Sequence, residues 1–108
     1  IGILPQPFVT VAMSKNENLK SVLDLTEEWD KVNSDSRLVT GVTVVRDAFL
    51  EENEEAVAEF LKDHENSSKF VNENIEEGAK LIAERGIIEK APIAQKAIPY
   101  CNITCITG

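Results

Sequence analysis

The sequence predicts an α/β fold with few strands and a helix-rich C-terminal half. Three observations carry that prediction. An apolar run at residues 1–4 stops at Pro5 and Pro7 and gives way at once to a helical pattern. Residues 38–45, Leu-Val-Thr-Gly-Val-Thr-Val-Val, hold the densest β-branched stretch of the chain, the side chains that suit a pleated, half-buried surface. From Arg46 onward apolar residues recur mainly every three or four positions, the period of helices with one packed face.

Each element follows from local chemistry. Residues 1–4 read as a buried strand. Pro5 and Pro7 lack an amide donor and end it, while Pro7 suits the first position of a helix. That helix spans residues 7–14, with Phe8, Val11 and Ala12 on one face, and Asn16 to Asn18 break the pattern. Residues 19–25 are compatible with a second strand, and residues 26–31 with a turn of helix capped by Thr26. After a polar loop at residues 33–36, residues 38–45 form the main strand. Residues 46–52 make a short helix, and Asn53 is the expected N-cap of a long one at residues 54–72, about 28 Å in length. Its core face includes Val57, Phe60, Leu61, His64 and Val71. Asn74 caps a helix at residues 75–85, closed by Gly86 in the left-handed conformation. A last helix covers residues 90–98, with Pro92 tolerated in its first turn, and residues 102–107 end as an extended segment.

Composition narrows the function. The 108 residues are one domain by size, and 43% are hydrophobic, enough for a core that buries roughly two thirds of the unfolded surface. The formal net charge of -8 opposes binding to nucleic acid phosphates or anionic lipid. The acidic side chains gather between Glu51 and Glu84 and read as solvated helix faces. No stretch approaches the roughly 20 apolar residues that cross a bilayer. Cys101 and Cys105, on an extended segment at about 3.3 Å per residue, would lie about 13 Å apart, beyond the roughly 7 Å a disulfide tolerates. Two free, largely buried thiols are expected, and no metal or other cofactor. His64 stands between Asp63 and Glu65 with no partner in sequence for acid–base or nucleophilic work, so no catalytic residue is expected.

Gln6 is pinned between two prolines where helix amides are unpaired. Its carboxamide can contact a ligand or hold the helix start. Phe8 reads as core rather than as a stacking platform. Thr40 and Gly41 place a hydroxyl and a missing side chain in an apolar strand, which suits either a cleft or close packing on a neighbour. Trp29 carries no assigned role.

The run Leu4-Pro-Gln-Pro-Phe-Val9 resembles the turn that faces the ligand cleft in type 2 periplasmic substrate-binding proteins of ABC importers, in the branch related to sulfonate-, nitrate- and thiamine-precursor-binding proteins. Gln6 stands where that family often carries a carboxylate. The run from Gly41 to Phe49, followed by residues 51–61, is similar to the family's hinge strand and return helix. Residues 96–103 resemble a late segment of one bacterial branch. The resemblance implies a two-lobed fold in which residues 1–37 end lobe two and residues 38–108 supply a hinge strand and the C-terminal part of lobe one. It implies extracytoplasmic capture of a small molecule for an ABC permease, without chemistry, and ligand contacts from Gln6, Pro7, Phe8, Thr40 and Gly41. The chain begins at Ile1 inside an apolar run, and it is expected to be a C-terminal fragment of such a protein. Sheet edges and an apolar helix face left uncovered in that fragment would favour self-association. Two alternatives stand beside this reading: an enzyme related to the thiamine-pyrimidine synthases of the same fold, and a non-catalytic interaction module.

Overall fold

The computed structural model describes residues 1–107. Helices occupy more than half of them: α1 (Phe8–Lys15), α2 (Leu25–Val32), α3 (Asp47–Glu52), α4 (Glu54–Glu73), α5 (Ile75–Glu84) and α6 (Ala91–Ala97), followed by a 3₁₀ turn at Ile98–Tyr100. The helix-rich second half is as the periodicity predicts, within a residue or two at each end.

The strands are not. No β-strand occurs among the described residues, and residues 1–4, 19–24, 38–45 and 102–107 are irregular. The reason is the lack of a partner. A strand exists only when its amides and carbonyls meet those of a neighbour, and none of the backbone hydrogen bonds outside the helices involves residues 38–45. Valine density supplies the propensity, but tertiary context decides whether it is used.

The packed part of the molecule is the helical second half. α5 packs on α6 and on α4, α1 rests against α6, and the 3₁₀ turn closes onto α4. At the centre Ala79, Ala94 and Ile98 form a buried cluster, with Val71, Ile75, Ile82 and Ile88 around it. Ala97 is buried as well. Small side chains at the contact allow short interaxial distances.

Helix ends show where local signals worked and where they did not. Gly86, with φ +70, terminates α5 as expected. Its N–H donates to the Ala83 carbonyl and that of Ile87 to Ile82, both at 3.0 Å, the paired bonds of a Schellman motif. Two expected caps use their side chains differently. Asn53 Nδ2 donates back to the Phe49 carbonyl at 3.0 Å, and Asn74 Nδ2 to the Phe70 carbonyl at 3.1 Å. Each closes the preceding helix rather than opening the next. The cap expected from Thr26 belongs to Asp24, whose Oδ1 accepts from the amides of Thr26 at 2.9 Å and Glu27 at 3.3 Å. The carboxylate therefore pulls the start of α2 back to Leu25.

The apolar face of α4 is the largest correction in the helical half. Val57 is half-buried, but Leu61 is exposed and Phe60 retains 50% of its accessible surface. Only Ser68 is buried along this helix; its hydroxyl donates to the His64 carbonyl at 2.8 Å. The loss expected for Phe60→Ala is therefore about 1 kcal/mol, since half of the side chain's transfer energy is already forgone. Urea unfolding followed by circular dichroism checks this, and a loss of 3 kcal/mol or more, the range of a fully buried Phe, would refute the exposed placement.

The chain as a whole is open. Its radius of gyration is 16.5 Å, against about 13 Å for a globule of this length. Its accessible surface is 9195 Å², against roughly 6,000 Å² for a folded protein of this mass. Residues 1–4 and 19–45 contribute to the excess: Ile3, Val22, Leu23, Val39, Val42 and Val44 are exposed there. α2 adds Leu25, Trp29 and Val32, exposed and spaced along one face. The Trp29 indole donates to Ser36 Oγ at 3.2 Å, and Arg37 pairs with Asp30 at 3.0 Å, so this region is braced by polar contacts rather than by a core.

Candidate functional site

The two prolines and α1 build the turn that carries Gln6. The Gln6–Pro7 peptide bond is cis. Pro7 takes the N-cap position with φ -87 and ψ 2 and contributes no side-chain cap. In the first turn the Val9 amide donates to the Pro5 carbonyl at 3.2 Å, and the Val11 amide to Pro7 at 3.0 Å. Gln6 Oε1 accepts a 2.7 Å hydrogen bond from Thr10 Oγ1. The carboxamide is thus held one helical turn along by a side chain. Gln6 therefore holds the helix start through a side-chain pair. With Oε1 engaged, the Nε2 donors are the part of Gln6 left for another group.

Gln6, Pro7 and Thr10 are half-buried. Phe8 is 61% exposed, which corrects its expected place in the core. Thr40 and Gly41 are exposed within residues 38–45, and a Cβ added to Gly41 meets nothing within 4 Å. The glycine is therefore not required by close packing on a neighbour. The turn brings Gln6, Pro7 and Phe8 together, whereas Thr40 and Gly41 stand on a separate segment. Thr10 was missed by sequence reasoning; its four-residue spacing from Gln6 across a helix start was the available signal.

Two hollows open elsewhere on the surface. One of about 560 Å³ lies at the α3–α4 junction among Glu51, Glu52, Glu54, Glu55 and Glu59. The other, about 440 Å³, lies at the start of α5. Both are shallow and hydrophilic, and neither includes Gln6, Thr40 or Gly41 in its lining. Among the described residues no group of three or more His, Cys, Asp or Glu side chains is placed to hold a metal ion.

His64 is half-buried and its ring stacks on Phe60, with centroids 5.7 Å apart and planes 13° from parallel. Cys101 and Cys105 are free thiols, half-buried rather than fully buried. Burial pushes the Cys101 thiol above its usual value, which keeps it protonated at neutral pH and a poor nucleophile. Lys80 and Glu76 bond at 2.8 Å on the exposed side of α5. That hydrogen bond raises the lysine and lowers the carboxylate. Asn72 Nδ2 donates to the Ile103 carbonyl at 2.8 Å, tying the C-terminal segment to α4. Among the described residues no helix is long and apolar enough to cross a membrane.

Compared with known proteins, the chain matches no family model, no curated protein and no solved structure.

Proposed function

We propose that the chain is part of the extracytoplasmic solute-binding subunit of an ABC importer, and that it helps to hold a small molecule in a cleft between two lobes without transforming it. In this reading residues 1–37 close lobe two, and residues 38–108 supply a hinge strand and the C-terminal part of lobe one. Residues 38–45 become a strand of an α/β sheet when flanked by the rest of the protein. The observation that carries the reading is the Pro-Gln-Pro turn, which holds Gln6 at the start of α1 with its Nε2 donors directed to no described partner. The resemblance of the turn and of residues 41–61 to such proteins supports it.

The test is made on the protein that carries this chain. Native mass spectrometry identifies the co-purified small molecule, and calorimetry then compares the parent with Gln6→Ala. Losing one neutral hydrogen bond costs about 0.5–1.5 kcal/mol, and more where a buried partner is left unpaired. The variant should therefore bind from a few-fold to a few tens-fold more weakly, and the loss of the Thr10 bond should lower Tm by about a few degrees. His64→Ala should bind as the parent does. Unchanged affinity in Gln6→Ala would leave the turn a structural feature only.

One observation favours a second reading, a helical interaction module. The described residues hold no strand, and α2 presents Leu25, Trp29 and Val32 to solvent. Amide I infrared spectra separate the two: a β component in the intact protein supports the binding subunit, and a helical spectrum without one supports the module.

A further inference from the structure

We propose that the first half of α4 is a docking face for a basic amphipathic helix supplied by another protein. The apolar side of that helix lies along Val57, Phe60, Leu61 and His64, and its Lys and Arg side chains meet the acidic rims. The proposal rests on the surface of α4 and not on ligand capture.

α4 carries one apolar stripe that the fold covers along only part of its length. At about 100° per residue, Val57, Phe60, Leu61, His64, Ser68 and Val71 fall within one arc of about 100°. Its C-terminal end meets the core. Ser68 is buried, and Val71 packs against the cluster of Ala79, Ala94 and Ile98. Toward the N-terminus the cover is lost: Phe60 and Leu61 remain 50% and 37% exposed. The Phe60 ring is nevertheless held in place by its stack on His64. The uncovered turns therefore present an ordered aromatic ledge continuous with a buried stripe.

Charge selects the occupant. Residues 1–46 carry five basic and six acidic side chains, whereas residues 47–108 carry six and thirteen. The imbalance is steepest beside the ledge, where residues 51–65 hold seven acidic side chains and one basic, Lys62. Among the described residues none of those seven makes an ion pair. Around the axis of α4, Glu54 and Glu65 border the stripe on one side and Asp63 on the other, while Lys62 and Lys69 lie toward the back. The hollow of about 560 Å³ among the glutamates of the α3–α4 junction lies at the same end of the helix, with room for a Lys or Arg side chain. Such a field repels a nucleic acid, an anionic membrane and a second copy of the same face. It attracts a cationic partner. An apolar helix face laid on an apolar surface is a recurring mode of peptide recognition, and opposite charges along its flanks fix orientation and partner. A guanidinium over the exposed half of Phe60 adds the attraction of a cation for a ring face.

Calorimetric titration of the protein that carries this chain is the test, with hydrogen exchange as a second readout. The probe is a helical peptide of about 20 residues, with Leu at three- and four-residue spacing and Lys and Arg on its flanks. A control peptide has Glu in place of the basic residues. The expected result is saturable one-to-one binding of the basic peptide, none of the acidic one, and added protection of the amides of residues 54–65. Phe60→Ala should raise Kd by about tenfold, and so should Glu54→Lys combined with Glu65→Lys. Glu77→Lys combined with Glu84→Lys changes the net charge equally but on α5, and should leave Kd within about twofold at physiological salt. Helical circular dichroism at the parent's level shows that each variant keeps its helices. Failure of the basic peptide to bind would overturn the proposal, since the protein's own segments would then cover the face. Equal losses from the two charge-reversed pairs, with none from Phe60→Ala, would reduce the binding to general charge attraction and overturn it as well. So would a dimer of the protein that Phe60→Ala dissolves, which would make a second copy the occupant.

Discussion

Ala94→Asp is expected to abolish cooperative unfolding of the helical half at room temperature. Ala94 is 0% exposed and sits in the cluster formed with Ala79 and Ile98. A carboxylate there meets apolar side chains and no donor. Burying an unpaired charge costs several kcal/mol, comparable to the whole stability of a small domain, about 5–15 kcal/mol. Asp in the first turns of a helix gains at most about 1 kcal/mol from the dipole, too little to offset that cost. Thermal scans followed at 222 nm should lose their sigmoid. Part of the transition should return below about pH 4, because a buried carboxyl has a raised folded-state pKa and its penalty is absent where the group is neutral in both states. A variant that melts as the parent does at neutral pH would show that α6 does not pack as described.

Ile98→Ala should destabilise the chain by about 2–4 kcal/mol. Ile98 is 3% exposed, begins the 3₁₀ turn and fills the space beside Ala79 and Ala94. The buried members beside it are alanines, and the surrounding Val71, Ile75, Ile82 and Ile88 are β-branched and stiff at χ1, so the space is refilled only in part and a cavity term adds to the lost transfer energy. The effect should exceed that of Phe60→Ala, although phenylalanine is the larger side chain. Denaturant titration of the two variants gives the order directly, and the reverse order would move the core from α5 and α6 to α4.

Much of the helical half was legible in the sequence, because its signals are local. Gly86 ends α5 through its own positive φ, and the apolar period from Ala56 to Val71 marks α4 whatever that helix packs against. The cap at Asp24 was also legible, since Asp24 precedes Glu27 by three residues in the pattern of a helix start, although Thr26 is the residue the sequence suggested. The candidate site was legible only as a turn. Gln6 between two prolines before a helix is a local feature, but its bond to Thr10 depends on the rotamers of two side chains one helical turn apart.

By itself the sequence determined where helices form, where they stop and how charge divides between the halves, because propensity, capping and charge act within a few residues. Tertiary structure alone decided which apolar residues are buried. Periodicity gave α4 a packed face, yet burial went to Ala79, Ala94, Ala97 and Ile98, since burial requires an opposing surface and α5, α6 and α1 supply one there. The valines of residues 38–45 met no such surface. Their β-propensity stayed unused for the same physical reason: a strand is a relation between two segments, and no single stretch of sequence contains both.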